Sequence, residues 1–319
     1  MTKEPVPRPS GSRVKALLQK REAEARARQE EIEKASEEVR ELHVEPNRQS
    51  TLDLQLPLFP EYASAMPHHW TRTTLFASIA RGKRKLHHRQ QLASRSDFTI
   101  LYTGQQLDMA DNDVFLHALQ LAQKSGCRSG YPFCSFQVFL EGIGRSASGQ
   151  NTYAWLENSL RRLAEATLFI ESDQGQGLMV RLIKDMAWNK KQDEYWLALD
   201  PHIVKFFQQS QIAYIDFEVR KKLRYALSKW LQNYACGHRA GEHHFVSIEN
   251  LMHWSGSTGR VRDFAEHKER GLRIALAELE SHGVIRDWDI YERPNGRKKQ
   301  LMVKWFRPQK AKELPNEQV

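Results

Sequence analysis

Residues 272–306 read LRIALAELESHGVIRDWDIYERPNGRKKQLMVKWF, and the reading of this stretch decides the fold. Leu272, Leu276 and Leu279 fall at spacings of four and three, which is one buried stripe of a helix. Ser281-His282-Gly283 ends that helix, because glycine adopts the left-handed cap conformation without a steric penalty. The apolar run Val284, Ile285, Trp288, Ile290 starts a strand, Pro294-Asn295-Gly296 supplies a hairpin turn, and residues 301–306 return. The hairpin tip carries Arg293, Arg297, Lys298 and Lys299. Upstream, Ser247 stands where an N-cap belongs, ahead of a short helix with Ile248, Leu251 and Met252 on one side and the breaker run 255–259 behind it. The leucine helix is expected to begin near Arg260, just after Ser257 and Thr258. Its other face then presents Asp263, His267 and Arg270, flanked by Arg262 and Arg273. Helix, helix and charged hairpin in this order describe a winged helix, whose second helix enters a major groove while the wing meets phosphate.

The same order occurs earlier in the chain. A strand at 98–102 leads into a helix capped by Asp111 with Phe115, Ala118, Leu119 and Ala122 on one face. Ser135 then opens a short helix with Phe136, Phe139 and Leu140 inward. The next helix has Leu156, Leu160 and Leu163, and strands at 168–170 and 178–183 enclose the turn 173–177. A further strand follows at 195–199. Leu156, Leu160, Leu163 and Leu168 lie 116 residues before Leu272, Leu276, Leu279 and Val284. The expected fold class is therefore α+β, with two tandem winged helices at 97–210 and 211–307. A helix at 219–234 is expected to be the first of the second module. On the same offset, Asn151 and Ala154 stand where His267 and Arg270 do, and the earlier hairpin tip has Asp173. Phosphate neutralisation drives affinity, so the second module is the main DNA reader. In the first, Arg145, Ser148, Gln150, Asn151 and Asn158 are the candidates for a groove, and contact with another protein is the open alternative.

The 319-residue chain carries a formal net charge of +9, and its pI is about 9.4. Such a balance favours an anionic partner, nucleic acid or a membrane surface. No apolar run approaches the roughly 20 residues of a membrane span and no signal-peptide core is evident, so a cytoplasmic protein with no membrane partner is expected. Cys127, Cys134 and Cys236 form no Cys-x-x-Cys pair, so neither a metal site nor a disulfide framework is indicated, and no cofactor is expected. Residues 1–50 read as a charged helical or disordered tail and 308–319 as a second disordered tail. The linker 51–96 holds two features. Gln55, Leu56, Leu58 and Phe59 form the pattern Gln-Leu-x-Leu-Phe, which looks like the short peptide by which bacterial proteins dock on the polymerase sliding clamp; an apolar strap on the protein's own core is the alternative. Residues 65–96 contain Arg72, Arg81, Lys83, Arg84, Lys85, Arg89 and Arg95 with no acidic residue, either an arm that tracks phosphate or a solvated basic strand. No Gly-x4-Gly-Lys-Ser/Thr loop and no His-hydrophobe-His cluster is present, which speaks against an ATPase or a nicking enzyme.

Gln-Leu-Pro-Leu-Phe at 55–59, Ala-Met-Pro at 65–67, Arg-Thr-Thr-Leu-Phe at 72–76, the run 99–104 and Ser257-Thr258 with Arg260 and Val261 together resemble the TrfA-type plasmid replication initiators. The resemblance spans about 54–306. It implies binding to double-stranded DNA at repeated origin sequences (iterons) and help in opening an adjacent A+T-rich segment. It also implies recruitment of the host initiator DnaA, the replicative helicase DnaB and the sliding clamp, with a homodimer as a further expectation. A winged-helix transcriptional repressor would use the same fold without those partners. The tail and the 294–296 turn depart from the family pattern.

Overall fold

A computed structural model of the chain describes residues 60–309 apart from 80–83, 93–97, 125–130, 134, 148, 173–176, 190–193, 204–206, 208–211 and 297. The expectations for residues 1–50 and 310–319, and for Gln55, Leu56, Leu58, Phe59, Arg81, Lys83, Ser148 and Arg297, fall outside those residues. So do the side chains of Gln150 and Lys298. The fold is mixed α and β.

The described chain opens as a strap. Every residue of strand β1 (Ala63–Pro67) is buried, and a single 3-10 turn follows at Trp70–Arg72. Next come β2 (Phe76–Ala77), the exposed β3 (Leu86–Gln91), β4 (Phe98–Gln105) and β5 (Leu107–Asp108). In β4, Ile100 and Tyr102 are buried while Thr99, Leu101 and Thr103 are not, the alternation of a half-buried strand. Helix α1 (Met109–Lys124) is capped by Asp108 and not, as expected, by Asp111. Asp108 Oδ1 accepts from the backbone N–H of Ala110 and Asp111 at 2.9 and 3.0 Å, and Asp111 Oδ2 accepts from the N–H of Asp108 at 3.1 Å. This reciprocal pair is a capping box built from two aspartates.

After β6 (Tyr131–Phe133), Ser135 caps α2 (Phe136–Gly142) by accepting from the Val138 N–H at 3.3 Å. Helix α3 (Gln150–Glu165) buries Leu156, Leu160 and Leu163 completely. Each is worth about 1.5–3 kcal/mol relative to exposure. Strands β7 (Thr167–Ser172) and β8 (Gly177–Arg181) form a hairpin that extends β4, in the order β3-β4-β7-β8. The expected strand 178–183 is thus two strands: the chain turns at Leu182 and enters β9 (Ile183–Asn189), which pairs with β10 (Glu194–Leu199) in a separate sheet ordered β6-β10-β9.

Strand β11 (Ile212–Asp216) pairs antiparallel with β1, Ala63 opposite Asp216 and Pro67 opposite Ile212. The single helix expected at 219–234 is two helices, α4 (Phe217–Lys222) and α5 (Ala226–Cys236), separated by an extended Leu223. A continuous helix would put positions nine apart on opposite faces. The break lets both Arg220 and Lys229 meet Asp113 of α1. Arg220 Nε lies 2.7 Å from Asp113 Oδ1, and Lys229 Nζ bonds Asp113 Oδ2. Arg220 also donates to Asn112 Oδ1 at 2.7 Å, Asn233 Oδ1 at 2.9 Å and the Lys229 carbonyl at 2.5 Å. Burial pulls both cations' pKa values down and Asp113 pushes them back up.

Beyond the junction run β12 (His243–Ser247) and α6 (Ile248–Trp254), the latter capped by Ser247, which accepts from the Asn250 N–H at 3.3 Å. Then follow α7 (Val261–Glu266), α8 (Leu272–Ser281), and the hairpin β13 (Arg286–Asn295) with β14 (Lys298–Phe306). Asn295 pairs with Lys298, and Gly296 between them has φ +60°, as the Asn-Gly turn requires. The sheet order is β12-β14-β13. In both halves, then, the strand preceding the short helix pairs with the last strand of a later hairpin. The counterpart of β13-β14 is β9-β10 and not the expected hairpin around 173–177, which is an insertion serving the β4 sheet. The tip of β9-β10 reads Lys-Lys-Gln-Asp at 190–193, outside the described residues, so the charge contrast drawn from Asp173 does not hold.

Candidate nucleic-acid interface

Among the described residues of the second half, the longest run of exposed cations lies between α6 and the first turn of α8. Ser255 closes α6: its hydroxyl donates to the Met252 carbonyl at 3.0 Å and lies 2.9 Å from the Ser257 hydroxyl. The Ser255 carbonyl accepts from the Ser78 N–H at 2.8 Å, which fastens the end of the strap beneath this turn. Gly256 has φ +75°, and a Cβ there would sit 2.8 Å from Ala77 Cβ, so the close approach needs glycine. Thr258, Arg260 and Arg262 emerge exposed from this anchored base, and Ser257 is half-buried.

The helix expected from Arg260 through the leucine stripe is interrupted. Helix α7 ends at Glu266, His267 is extended (φ −60°, ψ 123°), and α8 restarts after Gly271. The Gly271 N–H bonds the His267 carbonyl at 2.9 Å, and a Cβ at 271 would lie 2.6 Å from both the backbone N and O of His267. Only glycine fits so tight a return, so Gly271 within the helical pattern was the signal for the break. Asp263, His267 and Arg270 therefore do not share one helical face. His267 is consumed locally, its Nδ1 accepting from the Glu269 N–H at 3.2 Å. Arg270 stays exposed, and Lys268, passed over in the helical reading, is exposed in the same turn. Arg273, in the first turn of α8, is paired with Glu266. On the hairpin, Arg293 and Lys299 are exposed, with Lys299 Nζ 2.6 Å from Glu292 Oε2; this bond raises the lysine's pKa.

The other expected contacts divide. Arg84 is not free for phosphate: it donates to Asp111 Oδ2 at 2.8 Å and to the Gln106 carbonyl at 2.6 Å, and it pairs with Asp108. Lys85 beside it is exposed. Arg145 lies over the Trp155 ring, 3.8 Å from its centroid, so it braces the entrance to α3. Asn151 and Asn158 are exposed on α3, as expected for groove candidates. Arg72 faces inward, donating to the Gly237 carbonyl at 3.3 Å. Among the described residues no cluster of His, Cys, Asp and Glu could hold a metal, and no helix is long and apolar enough to cross a membrane.

The family described as TrfA protein matches residues 23–290 of this chain. The chain belongs to the TrfA family of plasmid replication initiators. Solved structures share its fold. Domains 2 and 3 of RctB are 11% identical with a TM-score of 0.54, covering 77% of this chain and 99% of that one. The Pi initiator protein, crystallised in complex with iteron DNA, is 15% identical with a TM-score of 0.50, covering 64% of the TrfA-family chain and 93% of its own. No curated protein sequence matches.

Proposed function

We propose that this TrfA-family chain starts plasmid replication as a non-enzymatic protein that binds repeated origin sequences through two winged helices in tandem. The observation that carries the reading is the family match across residues 23–290. The winged-helix part is supported by the order helix, strand, short helix, helix, hairpin, present in both halves once the added β7-β8 hairpin of the first and the α7-α8 break of the second are allowed for, with equivalent sheet orders β6-β10-β9 and β12-β14-β13. The iteron complex of the similarly folded Pi initiator protein supports duplex repeats as the partner. In the second half, Thr258, Arg260, Arg262, Arg270 and Arg273 face base edges, and the hairpin with Arg293, Lys298 and Lys299 meets phosphate. Lys85, and Arg81 and Lys83 from the strap's continuation, add phosphate contacts; Arg84 holds the fold instead. Origin opening, recruitment of host initiator, helicase and clamp, and action in the bacterial cytoplasm belong to the same reading.

Footprinting on the DNA that encodes and flanks the protein tests it: protection of regularly spaced direct repeats is expected, and a uniform, sequence-independent pattern would sink the idea. Arg262→Ala or Arg270→Ala should cost about 1–3 kcal/mol where the side chain makes a bidentate base contact, relaxing preference at one position. Lys299→Ala should instead flatten the salt dependence on every sequence, by about 0.9 in slope per lost phosphate contact. A peptide of residues 54–60 should bind purified sliding clamp and lose that binding with Phe59→Ala. Without such binding, clamp recruitment drops out of the reading.

A further inference from the structure

Three exposed carboxylates, Asp263, Glu266 and Glu269, sit among the cations of the proposed reading surface, and Glu266 spans the helix break. Arg273 Nε donates to both Glu266 oxygens, at 2.9 and 2.8 Å, with the two side chains 43% and 45% exposed. Glu266 closes α7 and Arg273 opens α8, so the return at Gly271 is what brings them together. Exposed pairs of this kind add little to folding. Facing a polyanion, a carboxylate also weakens binding to every sequence, since it repels phosphate and occupies a cation that would neutralise one. Arg260, Arg262, Lys268 and Arg270 form no ion pair among the described residues. The engagement of Arg273 is through Nε, and Nη1 and Nη2 have no partner among those residues. One turn on, the exposed position is Ala277, small enough for close approach to a groove floor, and Glu280 is held back by the Asp287 N–H and Trp288 Nε1.

We propose that Glu266 is a positioning residue that commits Arg273 to reading a guanine: holding Nε, it leaves the Nη1/Nη2 edge to fork onto O6 and N7, and it keeps the guanidinium off phosphate. The role rests on the reading that this half binds duplex DNA. Discrimination is a difference of affinities, so suppressing contact with wrong sequences serves it as well as strengthening the right one.

The full chain is titrated with a repeat duplex and a scrambled duplex of equal length and composition over a salt series. For Glu266→Gln, affinity for the scrambled duplex should rise about tenfold and its salt slope steepen by about 0.9, as Arg273 takes up one more phosphate. Affinity for the repeat should change much less, so the preference collapses. Replacing guanines one at a time by 7-deazaguanine, which lacks the N7 acceptor, should cost the natural chain about tenfold at one position and the variant less. Glu61→Gln, which removes the same charge from an exposed site at the start of the strap, outside both proposed winged helices, should change none of these. The proposal is overturned if Glu266→Gln leaves scrambled-duplex affinity and slope unchanged, weakens both duplexes equally, or if no guanine is N7-sensitive. Should the natural chain itself not prefer the repeat, the function proposed above fails, while the scrambled-duplex slope still decides whether Glu266 withholds Arg273 from phosphate.

Discussion

Asp113→Ala is expected to lower the stability of the folded chain by about 3–5 kcal/mol, the cost of breaking a buried ion pair by removing one partner. Asp113 is the carboxylate shared by Arg220 and Lys229, whose side chains are 1% and 18% exposed. Without it, two cations stay buried beside each other, and the amide oxygens of Asn112 and Asn233 cannot neutralise them. Urea unfolding should show the midpoint moving down with little change in slope. Asp113→Ala combined with Lys229→Met should recover part of the loss, because one stranded charge is gone. A loss below about 1 kcal/mol for the single variant, within the range of surface pairs, would mean the junction is wet.

The second large effect, of similar size, is expected for Asp111→Ala two positions earlier. Asp111 is fully buried and accepts from Ser159 Oγ at 2.6 Å, from Arg162 Nη2 at 2.7 Å and from Arg84 Nη1 at 2.8 Å, besides its share of the capping box. Its removal strands the Arg162 guanidinium, only 12% exposed, leaves Arg84 with Asp108 and the Gln106 carbonyl alone, and loosens the first turn of α1. Asp111→Asn keeps the shape and part of the hydrogen bonding, so it should fall between the natural chain and alanine. Equal losses for Asn and Ala would assign the effect to charge alone. Positions 111 and 113 lie about 200° apart around the helix. One turn of α1 thus secures its own half with one aspartate and fastens the other half with the next.

Both leucine stripes were legible from spacing, because a 3.6-residue period survives whatever the helix packs against: Leu156, Leu160, Leu163, Leu272, Leu276 and Leu279 are all buried. The caps Ser135 and Ser247 and the Asn295-Gly296 turn were legible for a related reason, each being decided by its immediate neighbours. What depends on distant partners was not. The breaks after Lys222 and Glu266 cannot be seen in a helical period; the first is set by where Asp113 lies, and the second was flagged only by Gly271. Asp111 was expected only as a helix cap, yet it and its neighbours Asn112 and Asp113 are all buried. Formal charge misled most in the basic strap. A guanidinium counts as one positive charge whether it faces water, as Arg262 does, or is spent on Asp108 and Asp111, as Arg84 is. The hairpin counterparts were mispaired because an insertion in the first half supplied a turn at nearly the right distance.

The opening strap has a consequence for how the chain is made. Strand β1 needs β11, about 150 residues further on, and Ser78 waits for the Ser255 carbonyl, later still. At roughly 5–20 residues per second, β1 leaves the ribosome some 7–30 s before its partner strand does. The earliest described segment to be synthesised is therefore among the last to be seated. A nascent chain that stops short of β11 carries Ala65 and Met66, buried in the finished protein, on a strand whose partner has not yet been made.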